Sequence, residues 1–113
     1  MISSKQIDQV VKLIVGNYHP NKIILFGSYA SGNANKDSDV DLLIIKNSDV
    51  PRYKRSREIH KLFNPYPFAM DILVYTNDEI NRWKDIKTSF IYEAFKNGIV
   101  LYYKSFFRRN TLS

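Results

Sequence analysis

The chain has 113 residues, of which 44% are hydrophobic, 25% charged and 14% aromatic, and its formal net charge is +6 at pH 7. This length suits one domain, and the apolar fraction excludes a wholly disordered chain because enough surface can be buried to offset the ordering entropy. The absence of cysteine excludes disulfide scaffolds, cysteine-bound zinc and thiol nucleophiles. The longest apolar runs have about five residues where a membrane helix needs about 20, and no signal peptide is visible, so we expect a cytoplasmic protein.

The excess positive charge lies in the second part of the chain. Residues 1–50 carry five Lys and five Asp, whereas residues 51–113 carry twelve basic and six acidic side chains. Such a surface suits a polyanionic ligand or an acidic protein partner. A solvated helix face followed by a frayed tail accounts for it equally well. Much of the charge comes from Arg52, Lys54, Arg55, Arg57, Lys61, Lys104, Arg108 and Arg109.

The first half of the chain predicts one helix and two strands. Apolar residues at helical spacing predict an amphipathic helix over residues 4–17, which a capping box of Ser3 and Gln6 would begin. Lys22–Phe26 reads as a short buried strand. A small polar loop with room for one helical turn follows, and the near-continuous apolar run Val40–Ile45 is typical of a central strand.

The second half predicts helices around one further strand. Pro51 is well placed to begin a helix that runs to about Phe63 with the basic cluster on its polar face. Phe68–Tyr75 predicts the third strand, and Thr76 or Asn77 would cap the next helix. The final predicted elements are a helix over residues 89–97 and a short strand over residues 99–103.

Three aspartates mark the predicted strands. Asp39 and Asp41 are two residues apart at the start of a strand, so their side chains point to the same side, where each raises the pKa of the other. Asp71 is the one acid in an otherwise apolar strand, where burial without a partner would cost several kcal/mol. A divalent cation shared by the three would compensate. Hydration of Asp39 and Asp41 at an exposed strand edge, and a Lys or Arg partner for Asp71, are the simpler alternatives.

The loop after the first strand opens with Gly27 and Ser28. Glycine allows the backbone to approach a phosphate closely, and the following amides and the serine hydroxyl can donate to its oxygens. The spacing to Gly32 matches neither a Walker A loop nor a dinucleotide-binding loop. An isolated Gly-Ser pair therefore indicates only a turn, and its significance depends on the aspartates that follow.

This order of motifs resembles the DNA polymerase β-type nucleotidyltransferase superfamily. The small size resembles its minimal members, the MNT-domain proteins encoded beside HEPN-domain partners in prokaryotic toxin–antitoxin pairs. The resemblance runs by motif from Lys22 to Tyr75 and by layout to about Tyr103. It implies an α/β (α+β) fold, with one nucleotidyltransferase domain over residues 1–103, a mixed sheet of three to four strands covered by helices, and a basic tail over residues 104–113.

The resemblance also implies roles for the nucleotide-binding residues. Gly27 and Ser28 match the phosphate-binding turn, and we assign Ser38 to the nucleotide with them. Many close relatives carry a basic residue just before the second glycine, where this chain has Ser31. The corresponding phosphate contact is then lost, or Lys36, Lys46 or a basic residue of the segment 52–57 supplies it.

For the aspartates, the resemblance implies metal binding. Asp39 and Asp41 match the two metal-binding aspartates, and Asp71 matches the third carboxylate, which helps to hold the catalytic metal and favours deprotonation of the attacking hydroxyl. The expected cofactor is Mg²⁺, as one or two ions, with Mn²⁺ as a substitute. The expected substrate is ATP or another NTP.

The implied activity is transfer of an NMP, AMP in particular, to a hydroxyl acceptor with release of pyrophosphate. The implied acceptor is a tyrosine of a HEPN-domain toxin in a hetero-oligomer, so the chain would act as an antitoxin, with neither a membrane nor a nucleic acid as partner. The alternative is a non-catalytic antitoxin that neutralises its partner by steric occlusion. Three clustered carboxylates favour the enzyme, because a pure binding protein does not need them.

The remaining candidate residues carry weaker signals. His19 and His60 are too isolated to indicate a metal site, and we interpret them as a helix-end and a helix-face residue. The aromatic run at residues 102–107 is interpreted as a docking surface or a disordered tail rather than a nucleic-acid platform. Four aromatic residues at helical spacing favour a core or partner interface over base stacking: Trp83, Phe90, Tyr92 and Phe95.

Overall fold

A four-stranded mixed sheet organises the chain. The structure is a computed structural model that describes residues 1–104. Its strands are β1 (Lys22–Phe26), β2 (Val40–Ile45), β3 (Met70–Tyr75) and β4 (Ile99–Tyr103), in the spatial order β3-β2-β1-β4. Strand β1 is antiparallel to β2 and β4, whereas β2 and β3 are parallel. The predicted α/β (α+β) class with a small mixed sheet is confirmed.

Within residues 1–104, six helical segments accompany the sheet. Helix α1 begins at the predicted capping box, in which the Ser3 hydroxyl accepts from the Gln6 amide and the Gln6 side chain accepts from the Ser3 amide. It ends at His19, a left-handed residue with φ 54°, which confirms the predicted helix-end position of this histidine. The helices are α1 (Ser4–Tyr18), α2 (Ser28–Ser31), α3 (Arg52–Arg55), α4 (Arg57–His60), α5 (Asn77–Trp83) and α6 (Phe90–Asn97).

The segment predicted as one helix from Pro51 to about Phe63 is two short helices separated at Ser56. The basic cluster was predicted to lie on a polar face, and this is wrong for Arg55, whose side chain is buried. Its guanidinium donates to the carbonyl of Val50 at 2.7 Å and forms an ion pair with Glu79 at 2.5 Å. A buried arginine of this kind is tolerated because its charge and its N–H groups are satisfied.

Alternate residues of the strands face two apolar layers. The closed face of the sheet is covered by α1 and α4, and its cluster contains Ile14, Leu42, Ile44 and Ile59, all 0% exposed. The open face is covered by α5 and α6 over a smaller cluster of buried residues: Ile24, Leu43, Ile45, Ile80, Ile91 and Ala94. Since side chains alternate along a strand, Asp41 lies on the open face with its neighbours Leu43 and Ile45.

The ends of the predicted strands agree closely with the structure. Strand β3 starts at Met70, two residues later than predicted, and the other three strands have the predicted bounds. No helix within residues 1–104 is long and apolar enough to span a membrane. The predicted basic tail over residues 104–113, with the end of the aromatic run, lies outside the described residues except for Lys104. The division at residue 103 stays a prediction.

Candidate active site

Asp41 and Asp71 are partners in the parallel pairing of β2 and β3. The register pairs Val40 with Met70 and Leu42 with Ile72, so the two aspartates stand side by side near the beginning of both strands. Their neighbours Val40, Leu42 and Ile72 point to the closed face and are buried there. The alternation of the strands therefore places both carboxylates on the open face.

The electrostatics of this pair are those of crowded like charges. Burial raises the pKa of Asp41, and the negative charges of Asp71 and Asp39 raise this pKa further. Among residues 1–104, none of the three aspartates has an ion pair or a hydrogen bond to its side chain. Asp39 and Asp71 are exposed and Asp41 is half-buried. Asp71 therefore does not carry the burial cost expected from the sequence, and no Lys or Arg among the described residues forms an ion pair with it.

Gly27 lies directly against the Asp41 carboxylate. It follows Phe26, the partner of Asp41 in the antiparallel pairing of β1 and β2, and has φ 74° and ψ −153°. A Cβ atom at Gly27 would lie 3.1 Å from Cγ of Asp41 and closer still to its Oδ2. Two requirements therefore exclude other residues, a positive φ and the close approach of a carboxylate.

Ser28 begins the single helical turn α2, with Gly27 as its N-cap residue. The Gly27 carbonyl accepts from the amides of Ala30 and Ser31, each at 3.1 Å. The amides of Ser28 and Tyr29 precede the first possible helix bond and can donate elsewhere. The Ser28 hydroxyl has no partner among residues 1–104. This turn offers several donors beside the aspartates, and its phosphate-binding role stays a prediction.

Ser38 has a different environment from the one its assignment implies. Its hydroxyl accepts from the Asn35 amide at 2.9 Å, and its own amide donates to the Asn35 carbonyl at 3.1 Å. These bonds fold the loop that leads into Asp39. Direct contact between Ser38 and a nucleotide stays a prediction, and the structure shows Ser38 shaping the loop.

The ligand atoms at the three aspartates decide whether the site fits a divalent cation. No group of three or more His, Asp or Glu side chains within the described part of the chain is already arranged to hold a metal ion. The donors are nevertheless carboxylate oxygens, which Mg²⁺ prefers, and the three aspartates form no ion pair with any of residues 1–104. Water and phosphate oxygens commonly complete the coordination of this ion. Asp41 and Asp71, with Asp39 beside them, therefore fit a divalent cation as a partial ligand set.

The basic residues proposed to substitute for the one missing at Ser31 differ in their positions. Lys46 and Arg52 belong to the other end of the sheet, where Lys46 follows β2 and the Arg52 guanidinium lies 4.9 Å from the Tyr75 ring centre. Arg55 is committed to Glu79. Lys36 belongs to the loop between α2 and β2, which follows the phosphate-binding turn, and is exposed; its contact with a phosphate stays a prediction.

Sequence reasoning missed a cavity of ≈ 380 Å³ beside Gly27. Phe90, predicted as core or interface, is 37% exposed and lines this cavity with Phe26, whose ring centre lies 5.0 Å away. Nothing in the spacing of Phe90 could reveal this, since helix α6 approaches the turn only through the tertiary fold. The cavity adds an apolar compartment to a site otherwise built from polar groups.

Comparison with known proteins agrees with this geometry. Residues 8–106 match the family model for polymerase beta nucleotidyltransferases. One relative from Methanocaldococcus jannaschii, provisionally named a protein adenylyltransferase, is 40% identical over 79 residues, which cover 70% of this chain and 76% of the relative. A second, with the same provisional name and from the same organism, is 34% identical over 104 residues, covering 90% of this chain and 100% of the relative.

A solved structure shows the same fold. The crystal structure at 1.40 Å resolution of a provisionally named nucleotidyltransferase from Sulfolobus solfataricus aligns with a TM-score of 0.61 and 16% identity. The alignment covers 88% of this chain and 79% of that one. The family match extends over most of the sequence and includes both the Gly27 turn and the three aspartates. This chain is therefore a nucleotidyltransferase of the polymerase beta family.

Proposed function

We propose that this nucleotidyltransferase transfers AMP from ATP to a protein hydroxyl, and that the acceptor is a tyrosine of a HEPN-domain toxin, which the transfer neutralises. The observation that carries the proposal is the pairing of Asp41 with Asp71 against the Gly27 turn. The provisional names of the two archaeal relatives support AMP as the transferred group and a protein as the acceptor. The resemblance to MNT-domain proteins supports the toxin partner.

The proposed step forms one bond and breaks one. The acceptor oxygen attacks the α-phosphorus of ATP, the bond from that phosphorus to the bridging oxygen of pyrophosphate breaks, and pyrophosphate leaves with the electron pair. The acceptor proton passes to the carboxylate of Asp71, which is exposed and has no hydrogen-bond partner among residues 1–104. A carboxylate close to the acceptor serves as a general base when it is within hydrogen-bond reach of the proton.

The remaining residues bind and orient the nucleotide. The amides of Ser28 and Tyr29 and the Ser28 hydroxyl donate to phosphate oxygens. Asp39, Asp41 and Asp71 would hold the divalent cation, which when bound withdraws negative charge from the phosphates. Gly27 keeps the backbone close to Asp41. Phosphates bound at the turn would therefore lie beside the same cation as the carboxylates.

The decisive test replaces Asp39 and Asp41 together by Asn. The change preserves side-chain shape but removes the charge that holds the cation, so we expect AMP transfer to fall by about a hundredfold or more. The matched control replaces Asp37 and Asp49, two exposed aspartates on either side of the motif, by Asn. The measurements are the mass of the co-expressed toxin and the growth of the cells. Full transfer by the Asp39/Asp41 variant would contradict the proposed site.

The same variants separate catalysis from steric neutralisation. If AMP transfer neutralises the toxin, the Asp39→Asn/Asp41→Asn protein leaves the toxin unmodified and the cells unprotected. A steric antitoxin would still protect, because its docking surface is unchanged. Protection by a folded variant that leaves the toxin unmodified would therefore replace the enzymatic antitoxin with the steric alternative.

The cation requirement is tested by calorimetry. Three carboxylates and a triphosphate repel each other unless a cation lies between them, so ATP binding should require Mg²⁺ or Mn²⁺. The affinity for ATP is measured once with the cation and once with excess chelator. Equal affinity for ATP in both conditions would show that the aspartates do not hold a cation with the nucleotide.

A further inference from the structure

The cavity beside Gly27 has the size and shape of a small-molecule subsite. Its volume of ≈ 380 Å³ is within the range of ligand pockets. The wall is apolar and aromatic, whereas its rim is polar. The wall contains Phe26, Phe90, Ala94 and Gly98, and the rim contains Ser31, Glu93 and Asn97.

The strand order places the cavity on the nucleotide side of the site. Gly27 lines the cavity and also lies against Asp41, so the cavity opens beside the phosphate-binding turn. Asp71, which faces the acceptor in the proposed reaction, is on β3, and β2 lies between β3 and β1. Neighbouring strands are about 4.8 Å apart, so β1 and β3 are separated by about 10 Å. The cavity is thus placed for the rest of the nucleotide and away from the acceptor.

The chemistry of the wall favours a flat, uncharged group. The rings of Phe26 and Phe90 lie at 73° to each other, so a planar ligand can stack on one ring and meet the edge of the other. The carboxylate of Glu93 at the rim disfavours a phosphate inside the cavity. A nucleobase is both planar and uncharged. The phosphates of the same nucleotide would remain at the turn.

The rim also favours a base that donates hydrogen bonds. The Asn97 amide nitrogen donates to Oε1 of Glu93. This bond leaves Oδ1 of Asn97 and Oε2 of Glu93 as acceptors. An exocyclic amino group supplies donors to such a rim, whereas uracil presents carbonyl oxygens on either side of its single N–H.

We propose that this cavity is the base subsite and that it binds an amino-bearing base, such as the adenine of ATP, of a nucleoside triphosphate whose phosphates lie at the Gly27 turn. The inference rests on the proposed function for the presence of a nucleotide at this site. It assigns Phe90 to stacking on the base, and Glu93 and Asn97 to recognition of its amino group.

The first experiment separates the base from the phosphates. Calorimetry in Mg²⁺ compares ATP with inorganic tripolyphosphate for the wild type, Phe90→Leu and Phe95→Leu. Phe95 is the matched control because it lies on the same helix with nearly the same exposure, 36% against 37% for Phe90, yet lines a different cavity. We expect Phe90→Leu to weaken ATP binding about tenfold through lost stacking. Tripolyphosphate binding and the control should not change, and thermal unfolding verifies that Phe90→Leu is folded.

The second experiment tests the rim. Wild-type protein should bind ATP or GTP about tenfold more tightly than UTP and purine riboside triphosphate, which lack the amino group. The variant Glu93→Ala/Asn97→Ala should remove this difference, whereas the exposed pair Glu58→Ala/Asn81→Ala should preserve it. The ATP and GTP measurements identify which of the two purines is bound.

Three results would overturn the subsite. The first is equal affinity of the wild type for ATP and tripolyphosphate, and the second is an equal loss of affinity for both ligands in Phe90→Leu. The third is a loss of toxin binding in Phe90→Leu with unchanged affinity for ATP, which would make the cavity a protein-docking surface. In each case AMP transfer by the wild type would leave the proposed function intact. Base-dependent binding without any transfer would instead contradict the proposed function and retain the subsite.

Discussion

The two faces of the sheet are built from the same strands but differ in how they are covered. On the closed face, α1 and α4 bury Leu42 and Ile44 completely. On the open face, α5 and α6 bury Leu43 and Ile45 but leave the beginning of β2 uncovered, where Asp41 stands. Adjacent residues of one strand therefore serve two purposes, since one set stabilises the fold and the other forms the site.

This difference explains how a chain of 113 residues accommodates uncompensated charge. The cost of placing Asp41 beside Asp71 is offset by the apolar contacts of the closed face, to which neither carboxylate contributes. Asp39 and Asp71 are exposed, so water and ligands reach the site. We therefore expect variants of the closed face to change stability and variants of the open-face edge to change activity.

The largest effect on stability is expected in α1. Ile14 is 0% exposed, and its replacement by Ala should lower the free energy of unfolding by about 2 to 5 kcal/mol through the cavity it leaves. Leu13 precedes it on the same helix and is 40% exposed, so Leu13→Ala should cost less than about 1 kcal/mol. Chemical denaturation measures both. Similar losses would show that the closed face is not the main source of stability.

The next effect concerns the ion pair that holds α5 in place. Burial by itself would raise the pKa of Glu79, but the hydrogen bonds from Arg55 and the Thr76 amide and the charge of Arg55 outweigh it, so this pKa lies below its ordinary value of 4.5. Glu79→Gln should cost about 2 kcal/mol at pH 7, since it leaves the guanidinium of Arg55 buried without its counter-charge.

The contribution of Glu79 to the free energy of unfolding depends on pH. A lowered folded-state pKa means that the contribution of Glu79 is complete above pH 4.5 and is lost as the pH falls through the folded-state pKa. The free energy of unfolding of the wild type should therefore approach that of Glu79→Gln in acid. A constant difference between the two proteins from pH 7 to pH 3 would contradict this assignment.

A pair of glycines tests the open-face edge. Gly27 and Gly32 have similar positive φ values, 74° and 82°, but a Cβ at Gly32 would meet nothing within 4 Å. Gly32→Ala should cost about 1 kcal/mol of backbone strain. Gly27→Ala should cost about 2 kcal/mol because its Cβ also displaces the Asp41 carboxylate. AMP transfer should fall sharply in Gly27→Ala alone, and equal transfer by the two variants would show that the contact with Asp41 is unimportant.

The smallest effect is a gain in stability. Burial and the charges of Asp71 and Asp39 raise the pKa of Asp41, so the ionised group opposes folding at neutral pH and stability increases as the pH falls through the folded-state pKa. Asp41→Asn should therefore be slightly more stable than the wild type at pH 7, by less than about 1 kcal/mol. Asp37→Asn is the control. A less stable Asp41→Asn protein would show that the carboxylate supports the fold.

Local signals account for the elements that were predicted correctly. The capping box at Ser3, the apolar runs of β1 and β2 and the cap at Thr76 act over a few residues, and each appears where the sequence predicted it. The prediction that the basic cluster after Pro51 lies on a polar face was wrong for Arg55, because its side chain is buried and pairs with Glu79, which is 24 residues away. The residue pattern of this segment is typical of an exposed basic helix. The burial of Arg55 depends on Glu79, which no local pattern reveals.

The sequence by itself determined the family, the order of the elements and the aspartates that mark the site, because alternation along a strand and the Gly-Ser turn are local properties of the chain. Only the tertiary structure decided the parallel register that pairs Asp41 with Asp71, the approach of Gly27 to that carboxylate and the cavity that Phe26 and Phe90 line together. Each joins segments far apart in the sequence. Their positions follow from how the helices close over the sheet, and no local pattern encodes that packing.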